Sequence, residues 1–220
     1  MPGVFDIVGP VMIGPSSSHT AGAARLGRMA RIILGEEPRS VVIELHGSFA
    51  QTYRGHGTDK ALVAGLLGYN EDDPRIKEAI AIAARENFEV VFRTADLGDV
   101  HPNTASFELT GVSGRKVRMA GASVGGGNIK VTNIDGYVVE LTGEYHTLIS
   151  IHQDKPGVVA RITELLARDN VNIAFMRVSR RERGSQALAI IEADQPIPGG
   201  TLAALQTIPA IERAFLIPPL

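Results

Sequence analysis

Near Gly143 the pattern of hydrophobic and polar positions changes character. From about Tyr145 to Leu220 it is regular. His146 to His152 alternates, with Ile149 and Ile151 on one face and Ser150 and His152 on the other, which is the period of a strand. Asp154-Lys155-Pro156-Gly157 reads as a turn. Val158, Ile162, Leu165 and Leu166 then recur at helical spacing, and Asp169-Asn170 ends that helix. Strands are predicted over Ile173 to Arg181 and Gln186 to Ala193, joined by a hairpin at Arg183-Gly184-Ser185. Pro198-Gly199-Gly200 breaks the chain before a short helix through Gln206, and Ile211 to Ile217 closes the set as a strand. The order βαββαβ is the ferredoxin-like arrangement.

Residues 1–143 are more mixed. Thr20 to Gly35 predicts a helix with Leu26, Met29, Ala30 and Ile33 on one face and Arg25, Arg28 and Arg31 on the other. Ser40 to His46 reads as a strand. Thr58 to Gly68 and Pro74 to Asn87 read as helices, Pro74 suiting a first turn. A strand over Glu89 to Arg93 follows. Short strands over Ser106–Leu109, Lys116–Met119, Asn128–Asn133 and Tyr137–Leu141 are separated by Gly-containing turns. Helices early and strands late predict an α+β fold. Two domains are expected, residues 1–143 and 146–220.

Composition narrows the function. The chain has 220 residues, 44% hydrophobic and 21% charged, with a net charge of −2. That balance suits packed cores and carries no nucleic-acid footprint. No apolar run approaches the ~18 residues of a membrane span. Met1-Pro2-Gly3-Val4-Phe5-Asp6 lacks the basic and apolar regions of a secretion signal, so a cytoplasmic location is expected. There are no cysteines, which excludes disulfides, thiol nucleophiles and a cysteine-ligated iron–sulfur cluster on this chain.

Two polar clusters carry candidate chemistry. Gly14-Pro15-Ser16-Ser17-Ser18-His19-Thr20 falls just before a predicted helix. Its hydroxyls can cap free N–H groups, and the same place suits a carboxylate or phosphate. A hydrophilic capping loop and a ligand site account for it equally well. Gly55-His56-Gly57-Thr58-Asp59-Lys60 places a second histidine between glycines, read as a loop at the mouth of the next helix. A lone loop histidine is usually only solvated; two in such loops favour a site, since neutral imidazole moves protons near pH 7. His101-Pro102-Asn103-Thr104 and Ser123-Val124-Gly125-Gly126-Gly127-Asn128 are weaker signals, read as a turn and as a bulge or strand entry. No nucleotide-binding, H-E-x-x-H or G-x-S-x-G motif is present.

Together, the Gly14-Pro-Ser-Ser-Ser-His-Thr motif, the Gly55-His-Gly-Thr-Asp-Lys motif and the triple glycine after Val124 resemble the β chain of iron–sulfur-dependent L-serine dehydratase, across essentially the whole chain. The first domain is also similar to the allosteric substrate-binding domain of some 3-phosphoglycerate dehydrogenases. The second resembles an ACT domain, by element order and by Asp154-Lys-Pro-Gly157.

The resemblance implies conversion of L-serine to pyruvate and ammonia without pyridoxal phosphate. It implies a [4Fe–4S] cluster held by cysteines of a separate α subunit, no metal on this chain, and no activity for this chain alone. Ser16, Ser17, Ser18 and Thr20, with Thr58, Asp59 and Lys60, become substrate-binding candidates. His19 and His56 become catalytic candidates, as base or as orienting groups, unless the base lies on the α chain. The ACT domain would be regulatory or dimerising, pairing two copies of the chain. Asp154, Gly157 and Asn172 would bind an effector, with L-serine the natural one. Two rival readings are a non-enzymatic amino-acid sensor and a self-contained metal enzyme using His19, His56 and His101. Lys60 has no context that would suit a pyridoxal enzyme.

Overall fold

A computed structural model describes residues 11–220. Two compact units divide the chain, one ending at Asp135 and the other spanning Gly136–Leu220.

The first unit begins with one π-helical turn, Ser17–Ala21, which runs into α1, Gly22–Leu34. The predicted helix therefore starts three residues before Thr20. The expected stripe is in the core: Leu26, Met29, Ala30 and Ile33 are at most 1% exposed. Arg25 and Arg28 instead reach Glu71 and Asn70, at 2.8 and 2.6 Å. Gly35, left-handed at φ 78°, ends the helix.

Strand β1, Pro38–Leu45, leads into α2, Gly47–His56, which the sequence pattern did not predict. Phe49 is the one buried residue of α2, so no apolar stripe marks it. Gly57, at φ 69°, turns the chain into α3, Thr58–Leu66. The predicted helix over Pro74 to Asn87 divides into a 3-10 segment, Pro74–Glu78, and α4, Ala79–Arg85. Strands β2 (Glu89–Thr94), β3 (Thr104–Gly111), β4 (Lys116–Gly125) and β5 (Asn128–Ile134) follow. Within this unit the strands lie in the order β2-β1-β3-β4-β5. Only β1 and β2 pair in parallel. The register shifts between Ser123 and Gly125, the expected bulge, and Gly125, Gly126 and Gly127 all have positive φ at the turn into β5.

Helices α1 and α3 pack unusually close. A Cβ on Gly27 would lie 2.2 Å from the Leu62 carbonyl oxygen, and one on Gly65 would lie 2.0 Å from that of Ala24. The two helices run in the same sense. Thr20, at the front of α1, meets the His56 carbonyl just before α3, and Arg31, near the far end of α1, donates to the Leu66 carbonyl at 2.9 Å.

The second unit contains β6 (Tyr137–Leu141), β7 (His146–Gln153), α5 (Val158–Arg168), β8 (Ile173–Arg180), β9 (Gln186–Ala193), α6 (Gly199–Gln206) and β10 (Ile211–Ile217). From β7 onward this is the expected βαββαβ, with an antiparallel sheet in the order β10-β7-β9-β8. Leu148, Ile162, Leu166, Ile191 and Leu205, each fully buried, join the two helices to one face. Among the described residues no helix is long and apolar enough to cross a membrane.

Gly65→Ala is expected to destabilise the chain by about 1–3 kcal/mol, because the added methyl meets backbone that cannot rotate away. Urea unfolding checks this; an unchanged midpoint would refute the tight crossing.

Candidate active site

The front of α1 is built by three local constraints. Ser16 is extended, at φ −146° and ψ 127°, and its Oγ accepts from the His19 backbone N–H at 3.2 Å. Gly14, at φ 142°, lets Thr20 approach: a Cβ there would lie 2.4 Å from the Thr20 side chain. Gly22 does the same for the end of β4, since its Cβ would lie 2.0 Å from Ser123 Oγ. The π turn widens the helix at this point, a distortion that often accompanies functional sites.

This frame holds the His19 ring among specific partners. Its Nε2 lies 3.1 Å from Ser48 Oγ, and its Nδ1 lies 3.4 Å from Ser16 Oγ, a longer and weaker contact. Neutral imidazole has one N–H and one lone pair, so one hydroxyl accepts and the other donates. The edge of the ring pair with Phe49 spans 5.3 Å between centroids, and the His56 ring lies 4.9 Å away. Burial lowers the His19 pKa below its ordinary value, and the charge of His56 lowers it further. His19 is thus held neutral near pH 7.

The structure brings His19 and His56 together but changes the setting of His56. It is the last residue of α2, not a loop residue, and its ring is exposed. Ser16, Ser17 and Ser18 are half-buried beside His19, and the Ser17 and Ser18 hydroxyls have no hydrogen-bond partner among the described residues. Thr20 is 2% exposed and donates to the His56 carbonyl at 3.5 Å, so its hydroxyl ties the two segments together. Thr58 is fully buried and its Oγ1 has no partner among the described residues. Asp59 accepts from the Lys60 N–H at 2.9 Å, and Lys60 is exposed. Ser48 escaped sequence reasoning. Its signal was the Gly47-Ser48 pair after a strand, a helix start that the missing apolar stripe concealed.

Chemically, the arrangement favours a carboxylate at the front. Because α1 and α3 run in the same sense, their N-termini lie at the same end, and each carries partial positive charge. Hydroxyl donors and a neutral imidazole sit beside them. His101 is occupied otherwise, its Nδ1 accepting from Asn103 N–H at 3.1 Å. No group of three His, Cys, Asp or Glu among the described residues is placed to hold a metal. The metal-enzyme reading therefore finds no ligand set.

Two of the predicted effector residues are already engaged. Asp154 accepts from Arg180 at 3.0 Å and from the Gly184 N–H at 2.9 Å, which together hold its pKa below the usual carboxylate range. Asn172 donates to Asp194 at 2.5 Å. Gly157, at φ 88°, stands at the N-cap of α5 without a side-chain cap.

Comparison with known proteins adds independent findings. The family model described as serine dehydratase beta chain matches residues 3–86, and the one described as ACT domain matches residues 146–210. A probable L-serine dehydratase beta chain of Bacillus subtilis is 45% identical, covering 94% of each chain. The L-serine dehydratase beta chain of Peptoniphilus asaccharolyticus is 37% identical, covering 91% of each. A D-3-phosphoglycerate dehydrogenase of Synechocystis is 27% identical over 89% of this chain and 35% of its own.

An NMR titration of His19 should show a midpoint below 6.5, its ordinary value, and His56→Ala should move it upward. The sign follows from linkage. Below pH ~6.5 the unfolded chain binds more protons at this group, so its contribution to stability falls as pH falls. A midpoint unmoved by His56→Ala would break the proposed coupling.

Proposed function

From a chain that belongs to the L-serine dehydratase beta-chain family, we infer the β subunit of an enzyme that converts L-serine to pyruvate and ammonia in the cytoplasm. The carrying observation is the His19–His56 pair, with His19 held by the Ser16 and Ser48 hydroxyls at the shared N-terminal end of two helices.

The cofactor implied by this reading is a cysteine-ligated [4Fe–4S] cluster. It does not fit this chain, which has no cysteine. The reading therefore assigns the cluster to a separate α subunit and leaves this chain inactive alone. What remains for its own residues is binding and proton handling. The helix ends and the Ser17 and Ser18 hydroxyls receive the substrate carboxylate. His19, tied by both ring nitrogens, orients the substrate as a neutral hydrogen-bonding group. His56, exposed and with its ring centroid 4.9 Å from that of His19, accepts the Cα proton in this reading. Thr20 and Thr58 serve the site from beneath, as buried supports, while Asp59 and Lys60 stand at its margin.

In the second unit L-serine acts as effector at Asp154, Gly157 and Asn172. The ligand competes with Arg180 for Asp154 and with Asp194 for Asn172, so it prefers the state in which those bonds are open. Two copies of this unit pair along the outer edge of β8, the terminal strand of its sheet, where Met176 and Val178 are 46% and 43% exposed.

A second reading, a non-enzymatic amino-acid sensor, draws on the Synechocystis match, in which nearly this whole chain aligns with about a third of a differently named enzyme. One experiment separates the two. This chain, mixed anaerobically with a cysteine-bearing α subunit, should form pyruvate from L-serine, and neither part should do so alone. His56→Ala should lower kcat by about 10²–10⁴-fold without loss of the folded state. Failure to form a complex, with serine still bound by this chain, would favour the sensor. Arg180→Ala should raise the effector sensitivity of the assembled enzyme at unchanged maximal rate, measured as the change in serine turnover when a serine analogue that is not itself turned over is titrated in. An unchanged response would remove the Asp154 turn from regulation.

A further inference from the structure

The second unit contains a cleft of about 530 Å³, formed between the β6–β7 segment and the face of β8 and β9 that points away from the helices. It owes nothing to the histidine pair or to the Asp154 turn. Three of its lining residues are carboxylates, Glu140, Glu144 and Glu192, against one guanidinium, Arg177. Arg177 lies 3.5 Å from Glu140 at the rim, where both side chains are about half exposed.

Glu192 is different. It is only 9% exposed, and its Oε1 is buried without a hydrogen-bond partner among the described residues. In the sheet it stands between Thr147 of β7 and Phe175 of β8, on the cleft side. A buried carboxylate that lacks a partner is disfavoured in its ionised form. Burial pushes its pKa above the ordinary value, and Glu144 and Glu140 push it the same way. The rest of the wall is apolar and aromatic apart from the Thr142 hydroxyl. Tyr145 and Phe175 meet edge to face with centroids 5.5 Å apart, and Phe175 is 58% exposed. Ile190 forms the floor.

A deep carboxylate, two further acids at the mouth and an aromatic wall match one ligand chemistry. Cations pair with the carboxylates and lie against ring faces, while an aliphatic stem covers the apolar floor. The volume is that of a small-molecule site. We propose that this cleft binds a small organic cation, an ammonium or guanidinium group carried on a short aliphatic stem. The cation supplies the partner that Glu192 lacks. An inorganic cation does not suit the site, because no three acidic or imidazole groups among the described residues converge on one point.

The test uses the full chain and isothermal titration with agmatine and with 1,4-diaminobutane, and 1,4-butanediol as the neutral match. Both cations should give saturable, one-to-one binding, and the diol none. Glu192→Gln keeps the shape and removes the charge; it should weaken binding by about tenfold or more, roughly the 1.4 kcal/mol of one decade. Phe175→Ala, at an exposed position with no core role, should weaken it severalfold and guards against misfolding of the first variant. Glu164→Gln, on α5 outside the cleft, should leave it unchanged. Equal binding of the diol, absence of saturable binding, or full affinity in a folded Glu192→Gln chain would each overturn the proposal.

Discussion

The close crossing of α1 and α3 is the constraint on which the first unit turns. Gly27 and Gly65 place backbone against backbone, and any side chain there would hold the helices apart. The closeness has two consequences. It sets the end of α1 within reach of the segment before α3, so that Thr20 bonds to His56 and the two imidazoles become neighbours. It also aligns two helix dipoles in the same sense. Like partial charges then stand side by side, an arrangement that is unfavourable in isolation and is relieved by an anion at the positive end. The proposed preference for an anion thus has the same cause as the packing.

Within that frame the partners of His19 decide its chemistry. Carboxylate neighbours would favour the imidazolium; hydroxyls from Ser16 and Ser48 do not. With burial and a second imidazole added, the ring stays neutral and bound at both nitrogens. Such a group positions a substrate better than it accepts a proton. Among the described residues the exposed His56 has no comparable ties on its ring, and the division of labour proposed for the two rests on that difference.

The second unit shows the opposite use of charge. Asp154 is satisfied by Arg180 and a backbone N–H, so it is stable as found and must give up partners to bind anything else. Glu192 is unsatisfied and gains from whatever cation reaches it. One carboxylate is paired and the other is not, although both lie on the same small βαββαβ fold.

Much of this was legible from residue order. The strand period of His146 to His152, the helical stripe from Val158 to Leu166 and the Gly-containing hairpins specify the second unit directly, because each depends on neighbours a few residues apart. The stripe of α1 was legible for the same reason. Helix α2 was not, since it buries Phe49 alone and takes its place from contacts at both ends. With it went Ser48 and the true setting of His56. The sequence by itself determined the mixed α and β character, the βαββαβ order of the second unit and the presence of two histidines near serine hydroxyls. Only the tertiary structure decided that His19 faces Ser48, that Thr20 is a buried tie, that Asp154 is already occupied and that Glu192 lacks a partner. Those outcomes join residues tens of positions apart through packing, and local period carries no record of which distant backbone a glycine will allow to approach.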